Sequence, residues 1–203
     1  MVSMAMLISC VASCDSGSDA VSYGVGTLSL GLSANPSFST KTRSVNEAEY
    51  KKADNYQVTV KDADGASLYN GLYKDMPLSI DLTAGKGYTV KAFYGENVNA
   101  GFGKRYVEGS QEFTVSEGEQ KNVILYCKPA NVKVSVVYTE DFLKYYSDCT
   151  VSLSTSHLTA PFEVNMKKDS GKDAYLKANA DGEKVSITVG GFRDKEGNPV
   201  VMD

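Results

Sequence analysis

From Gly26 onward the chain repeats one pattern, short runs in which every second residue is apolar, and a period of two restricts it to half-buried β-strands packed face against face. Leu28, Leu30 and Leu32 share a face, as do Tyr56, Val58 and Val60, then Leu78, Ile80 and Leu82, then Tyr88, Val90, Ala92 and Tyr94. Phe113 and Val115, followed by Val123, Leu125 and Cys127, complete this series. Turn residues stand at hairpin positions between the runs: Asp62-Ala63-Asp64-Gly65, Ala84-Gly85-Lys86-Gly87 and Ser116-Glu117-Gly118-Glu119. Roughly six or seven strands in about 100 residues predict an antiparallel sandwich.

Lys128-Pro129-Ala130-Asn131 interrupts the series, because proline removes a ladder donor and restricts the residue before it. A second series follows, with Val132, Val134, Val136 and Tyr138, then Cys149, Val151 and Leu153, then Phe162, Val164 and Met166, then 175–178, then Val185, Ile187 and Val189. Two short helices are expected as connectors, one over 46–52 and one after Thr139, which stands as N-cap before Glu140 and Asp141. The fold class is therefore all-β, with two tandem antiparallel β-sandwich domains, Ig-like or transthyretin-like, at 27–128 and 129–203. The last turn, Asp194 to Pro199, is followed only by Val200 to Asp203, so the second sandwich is expected to be incomplete.

The opening segment, MVSMAMLISCVASC, is apolar and uncharged, and too short for the ~20 residues that a membrane-spanning helix needs. Residues 1–14 read as a lipoprotein signal peptide, although no Lys or Arg precedes the apolar stretch. Lipidation falls on Cys14, after the small residues Ala12 and Ser13; Cys10, after Leu7-Ile8-Ser9, is the alternative. A cysteine at a new N-terminus offers a thiol for diacylglycerol and an amine for a further acyl chain, and such chains together anchor stably. Residues 15–26, polar and Gly/Ser-rich, serve as a flexible tether. The expected partner of this end is outer-membrane lipid and the expected location is exported, on the cell surface.

With 21 Lys and Arg against 25 Asp and Glu, the 203-residue chain has a net charge of -4 and no basic block, so nucleic acid is not an expected partner. Its single histidine, His157, stands in a polar turn with no metal or nucleophile spacing around it, and is expected in solvent. Asp62 and Asp64 fit an Asp-Gly turn better than a calcium loop, which needs a Glu six places beyond its glycine. No cofactor, metal or catalytic residue is expected, and a hydrolase would need two carboxylates facing one cleft.

Three features invite a functional reading. The longest polar and aromatic insertion, from Ala92 to Tyr106, offers Tyr94, Asn97, Asn99 and Tyr106 as a glycan site, against a role in packing strand ends. Arg43, in the polar linker after the first strand, offers a site for proteolytic processing. Cys127 and Cys149 are each in phase with a buried face, as free thiols or as a disulfide between the domains.

Several stretches in order, Gly26-Thr27-Leu28-Ser29-Leu30, Tyr56-Gln57-Val58-Thr59-Val60, Met76-Pro77 leading to Gly87-Tyr88-Thr89-Val90-Lys91-Ala92, Phe113-Thr114-Val115, Val123 to Cys127 and Ala130-Asn131-Val132-Lys133-Val134, give the chain a resemblance. It resembles a Bacteroidota-type surface lipoprotein family, a domain of unknown function related in layout to fimbrillin-like adhesins. The resemblance implies a lipid-anchored surface sandwich, sometimes joined to a C-terminal domain with a glycan connection, and it supplies no catalytic residues. The expected function is a non-enzymatic adhesion or fimbria-like structural and binding module with protein partners. The alternative is a glycan-binding accessory lipoprotein of a polysaccharide-uptake system.

Overall fold

The computed structural model describes residues 24–37 and 47–201. The first unit is built from β1 (Val25–Ala34), β2 (Gln57–Asp62), β3 (Ser67–Leu72), β4 (Ile80–Thr83), β5 (Gly87–Gly95), β7 (Tyr106–Thr114) and β8 (Gln120–Pro129), hydrogen-bonded in the order β3-β2-β5-β7-β8-β1-β4. A short α1 (Glu47–Lys51) leads into β2. This ribbon folds on itself, because β7 and β8 pair only at Val107 with Pro129 and Glu108 with Lys128. A β-carbon on Gly109, the next residue, would lie 2.9 Å from Tyr126 O and 3.1 Å from Cys127 Sγ, so the two strands approach closely only because a glycine stands there.

The folded ribbon puts β2, β5 and β7 on one side of a shared core and β1, β4 and β8 on the other. Tyr56, Val58, Val60, Val90, Ala92 and Val107 meet Leu28, Leu82, Val123, Leu125 and Cys127 there, all essentially sealed from solvent. Burial of a Val- or Leu-sized side chain stabilises by about 1.5–3 kcal/mol, so the alternating inward residues are what hold the layers together. Leu78 apart, the period of two predicts which residues of this unit face inward.

The second unit contains β9 (Asn131–Ser135), α2 (Glu140–Tyr145), β10 (Asp148–Ser154), β11 (Phe162–Asn165), α3 (Met166–Asp169), β12 (Asp173–Lys177) and β13 (Ser186–Arg193). Its two sheets run β11-β10-β13 and, with β6 (Ala100–Phe102) from the insertion, β6-β12-β9, around Val151, Leu153, Val164, Ala174 and Leu176. The expected cap is present, with Phe142 N donating to Thr139 Oγ1 at 3.2 Å.

The structure differs from the sequence expectation at five places. Ile187 and Val189, expected on a half-buried face with Val185, are 59% and 46% exposed on β13. β1 pairs in parallel with β8, from Thr27 opposite Gln120 to Ala34 opposite Cys127, so one central pair breaks the antiparallel rule. The strand expected from Leu78 begins only at Ile80, because Pro77 cannot donate to a ladder, and Leu78 is 95% exposed. β3 fills a segment of mixed Ser, Tyr, Asn and Gly with no clear alternation. Finally β6 (Ala100–Phe102), in the middle of the insertion assigned to the first domain, pairs with β12 and completes a sheet of the second unit.

Candidate functional site

The insertion between β5 and β7 does not gather its four sequence candidates into one site. Tyr94 continues the inward face of β5 and packs on Tyr50 and Tyr56, with ring centroids 4.9 and 5.7 Å away. Tyr106 lies on the other face of the same sheet, 5% exposed, against Phe93 at 6.0 Å. Burial, then the nearby Glu108 carboxylate, pushes its phenol pKa up. Two rings on opposite faces of a sheet cannot clasp one sugar, and both have lost their free faces to packing. Asn97 and Asn99 are exposed on the loop, and Asn99 is tied by its carbonyl, which accepts from Lys177 N at 2.9 Å. The insertion is a structural strut whose middle feeds β6 to the second unit. Arg43, Cys10 and Cys14 lie outside the described residues.

The root of this strut is rigid. Gly95 has φ of +99°, and a β-carbon on it would fall 2.1 Å from Arg105 O. Arg105, fully buried, lies over the Tyr50 ring at 5.1 Å and donates through Nη2 to Pro36 O. Glu96 and Lys104 form an ion pair across the loop.

A second arrangement, not anticipated from the sequence, lies where β7 and β8 join. The alternation that sends Val123, Leu125 and Cys127 inward sends Asn122, Ile124, Tyr126 and Lys128 outward, and Tyr126 is 71% exposed. Beside it a groove of about 470 Å³ is lined by Glu108, Ser110, Tyr126, Lys128 and Asn179, with Pro129 and Ala178 among its apolar walls. Glu108 and Lys128 are direct cross-strand partners, and Glu108 also pairs with Lys91. Asn179 is held from the second unit, where its Nδ2 donates to Glu183 Oε2 at 2.8 Å. The sequence signal is an aromatic residue at a solvent-facing step of the strand, out of phase with Val123, Leu125 and Cys127.

The remaining candidates are structural. His157 is half-buried rather than free in solvent, with Nε2 3.5 Å from Glu183 Oε2. Ser156 Oγ donates to Glu183 at 3.2 Å and not to His157, so the Ser, His and Glu here form a loop staple. The Ser156 N–H holds the Glu183 carboxyl below the usual carboxylate range. Asp62 Oδ1 accepts from Asp64 N at 3.1 Å and Ala66 N at 2.8 Å, which is turn geometry. Among the described residues no three His, Cys, Asp or Glu side chains cluster as a metal site, and no helix is long and apolar enough to cross a membrane.

Cys127 and Cys149 are both free and buried, so the disulfide reading falls. The physical reason is placement: Cys127 belongs to the first core, whereas Cys149 lies on β10 in the second unit. Burial, then the Glu108 charge, pushes the Cys127 thiol up to about 11, and burial also raises that of Cys149. Both thiols are expected to resist modification by a thiol-specific reagent at pH 8 in the folded protein and to react fully in denaturant. Rapid labelling of either in the native state would contradict this packing.

The family described as Domain of unknown function (DUF4493) matches residues 24–203. No curated protein matches the chain. Among solved structures the chain is similar to a candidate polysaccharide binding protein from Bacteroides thetaiotaomicron, at 9% identity over 87% of this chain and 78% of that one, with a TM-score of 0.42. It is also similar to a candidate adhesin from Bacteroides ovatus, at 12% identity over 91% and 76% of the two chains and a TM-score of 0.41. For a fimbrial assembly protein from Parabacteroides distasonis, the identity is 15%, the coverage 82% and 85%, and the TM-score 0.39.

Proposed function

The chain belongs to the DUF4493 family, and on that premise we propose that it is an exported, lipid-anchored cell-surface protein that acts as a non-enzymatic adhesion or fimbria-like binding module. The observation that supports this most directly is the unequal covering of β1. β8 runs alongside it from Thr27 to Ala34, but among the described residues β4 covers its other side only from Val25 to Leu28. Beyond Leu28 that side borders a hollow of about 280 Å³ lined by Ser29, Leu30, Tyr73, Met76 and Pro77. A main-chain edge beside a hollow is what an added strand from a partner needs, with hydrogen bonds supplying affinity and the hollow receiving alternate side chains. Tyr73 Oη already donates to Leu30 O at 3.1 Å, so an incoming strand would displace a side-chain donor rather than a ladder.

The anchor in this reading is Cys14. Cells expressing the full chain should incorporate labelled palmitate into it and display it to a surface antibody, and Cys14→Ala should lose both signals. Labelling that persists in Cys14→Ala and disappears in Cys10→Ala moves the anchor to Cys10; labelling in neither wild type nor variants removes the lipid from the proposal. A second reading, glycan capture in support of polysaccharide uptake, is favoured by the exposed Tyr126 and its polar surroundings.

A further inference from the structure

We propose that the groove beside Tyr126 is a carbohydrate-binding site that takes a neutral pyranose ring against the free face of Tyr126. Three hollows invite a ligand, and their linings separate them. The one bounded by Asp62, Tyr88, Glu112 and Phe113 lies over aromatic rings that are themselves buried, at 3% and 8% exposure, and stacked on each other at 5.7 Å. The one beside Leu30 borders a strand edge and carries main-chain recognition. Only the Tyr126 groove, among these three, combines an exposed ring with side chains that both donate and accept.

The chemistry of that lining selects the ligand class. A pyranose has an apolar face of C–H groups, which rests on an aromatic ring, and a rim of hydroxyls that are at once donors and acceptors. Tyr126 supplies the platform, Glu108 the acceptor, Lys128 the donor, and Ser110 and Asn179 groups of both kinds. The two charged side chains in the lining, Glu108 and Lys128, are of opposite sign and face each other across one ladder, so a neutral sugar meets a lining with no net charge. The side chains are also partly fixed before a ligand arrives: Glu108 by Lys91, Asn179 by Glu183, and Ser110 Oγ by the carbonyl of Val90 at 3.3 Å. Fixing them beforehand lowers the ordering cost of binding. The groove draws on both units, since Ala178, Asn179 and Ala180 follow β12 while the rest come from the β7–β8 junction.

This inference deepens the glycan reading and rests on the chain acting as a surface binding module. The test uses the full chain on a printed array with three arms, plant polysaccharides, yeast mannan and mucin O-glycans, followed by titration with the oligosaccharide that binds best. The expected result is binding to neutral glycans in at least one arm, and the arm identifies the source. Tyr126→Ala should weaken that binding by about tenfold or more, Tyr126→Phe should retain it, and Glu108→Gln should weaken it by several fold. Because Tyr126 is exposed, the Tyr126→Ala protein should melt at the wild-type temperature. Binding that survives Tyr126→Ala overturns the site, and so does the absence of binding in all three arms. A chain that labels with palmitate and reaches the surface yet binds no glycan loses this inference alone, and the adhesion reading stands.

Discussion

Gly95→Ala is expected to leave the first unit unable to form, with no cooperative unfolding transition or one displaced by most of the protein's stability. Two costs combine at this position. The backbone sits at φ of +99°, a region that a residue with a β-carbon rarely enters, at about 1–3 kcal/mol. The added carbon would also lie 2.1 Å from the carbonyl oxygen of Arg105, and that obstacle is main chain, which cannot rotate away as a side chain does. Relief would require β5 and β7 to part at Gly95 and Tyr106, their last ladder position. Against a typical total of about 5–15 kcal/mol, the sum is expected to be decisive. Urea unfolding followed by circular dichroism measures it, and a wild-type midpoint for Gly95→Ala would show that the two strands do not close as described.

Tyr56→Ala is expected to have the second-largest effect, a loss of about 5 kcal/mol. The side chain is fully buried between the layers of the first unit, so truncation opens a cavity at a cost of about 3–5 kcal/mol. Its hydroxyl donates to Tyr50 O at 2.8 Å, and removing that donor adds about 1 kcal/mol. Tyr56→Phe separates the contributions, because the ring stays while the donor goes; it should cost about 1 kcal/mol. The same denaturant titrations read both variants. Equal losses for Phe and Ala would mean that the hydrogen bond, and not packing, carries the position.

The two substitutions bear on what was legible in the sequence. Tyr56, Val58 and Val60 announce their burial by alternation alone, and the same rule finds Val90, Val123, Leu125, Val151 and Leu153. The rule fails where pairing is decided by something other than a buried face. β6 is three residues long, and Ala100, Gly101 and Phe102 show no period to detect; they become a strand because β12 presents Ala174 to Leu176 as a template. The parallel partnership of β1 and β8 was equally invisible, since alternation reports a face and not a neighbour. Tyr94 and Tyr106 were misleading for a related reason. Spacing in a loop says nothing about which side of a sheet each end enters, and these two enter opposite sides. Tyr126 was overlooked because the adjoining Leu125 and Cys127 drew the reading to the inner face, although an aromatic residue out of phase with a core was already the clue.

The parallel pairing of β1 with β8 also governs when the first unit can close. β1 finds its main partner only once Cys127 has been made, with β2, β3, β4, β5 and β7 all lying between them in the chain. Such long-range closure is entropically costly and slows folding, because the intervening loop must be drawn in before its contacts repay the loss. Until then β1 has β4 to pair with over Val25 to Leu28, while Ser29 to Ala34 wait for the ladder that β8 brings. The hairpins of β2, β3, β5 and β7 can form as they emerge, but the layer that β1, β4 and β8 make over them is completed only after Cys127.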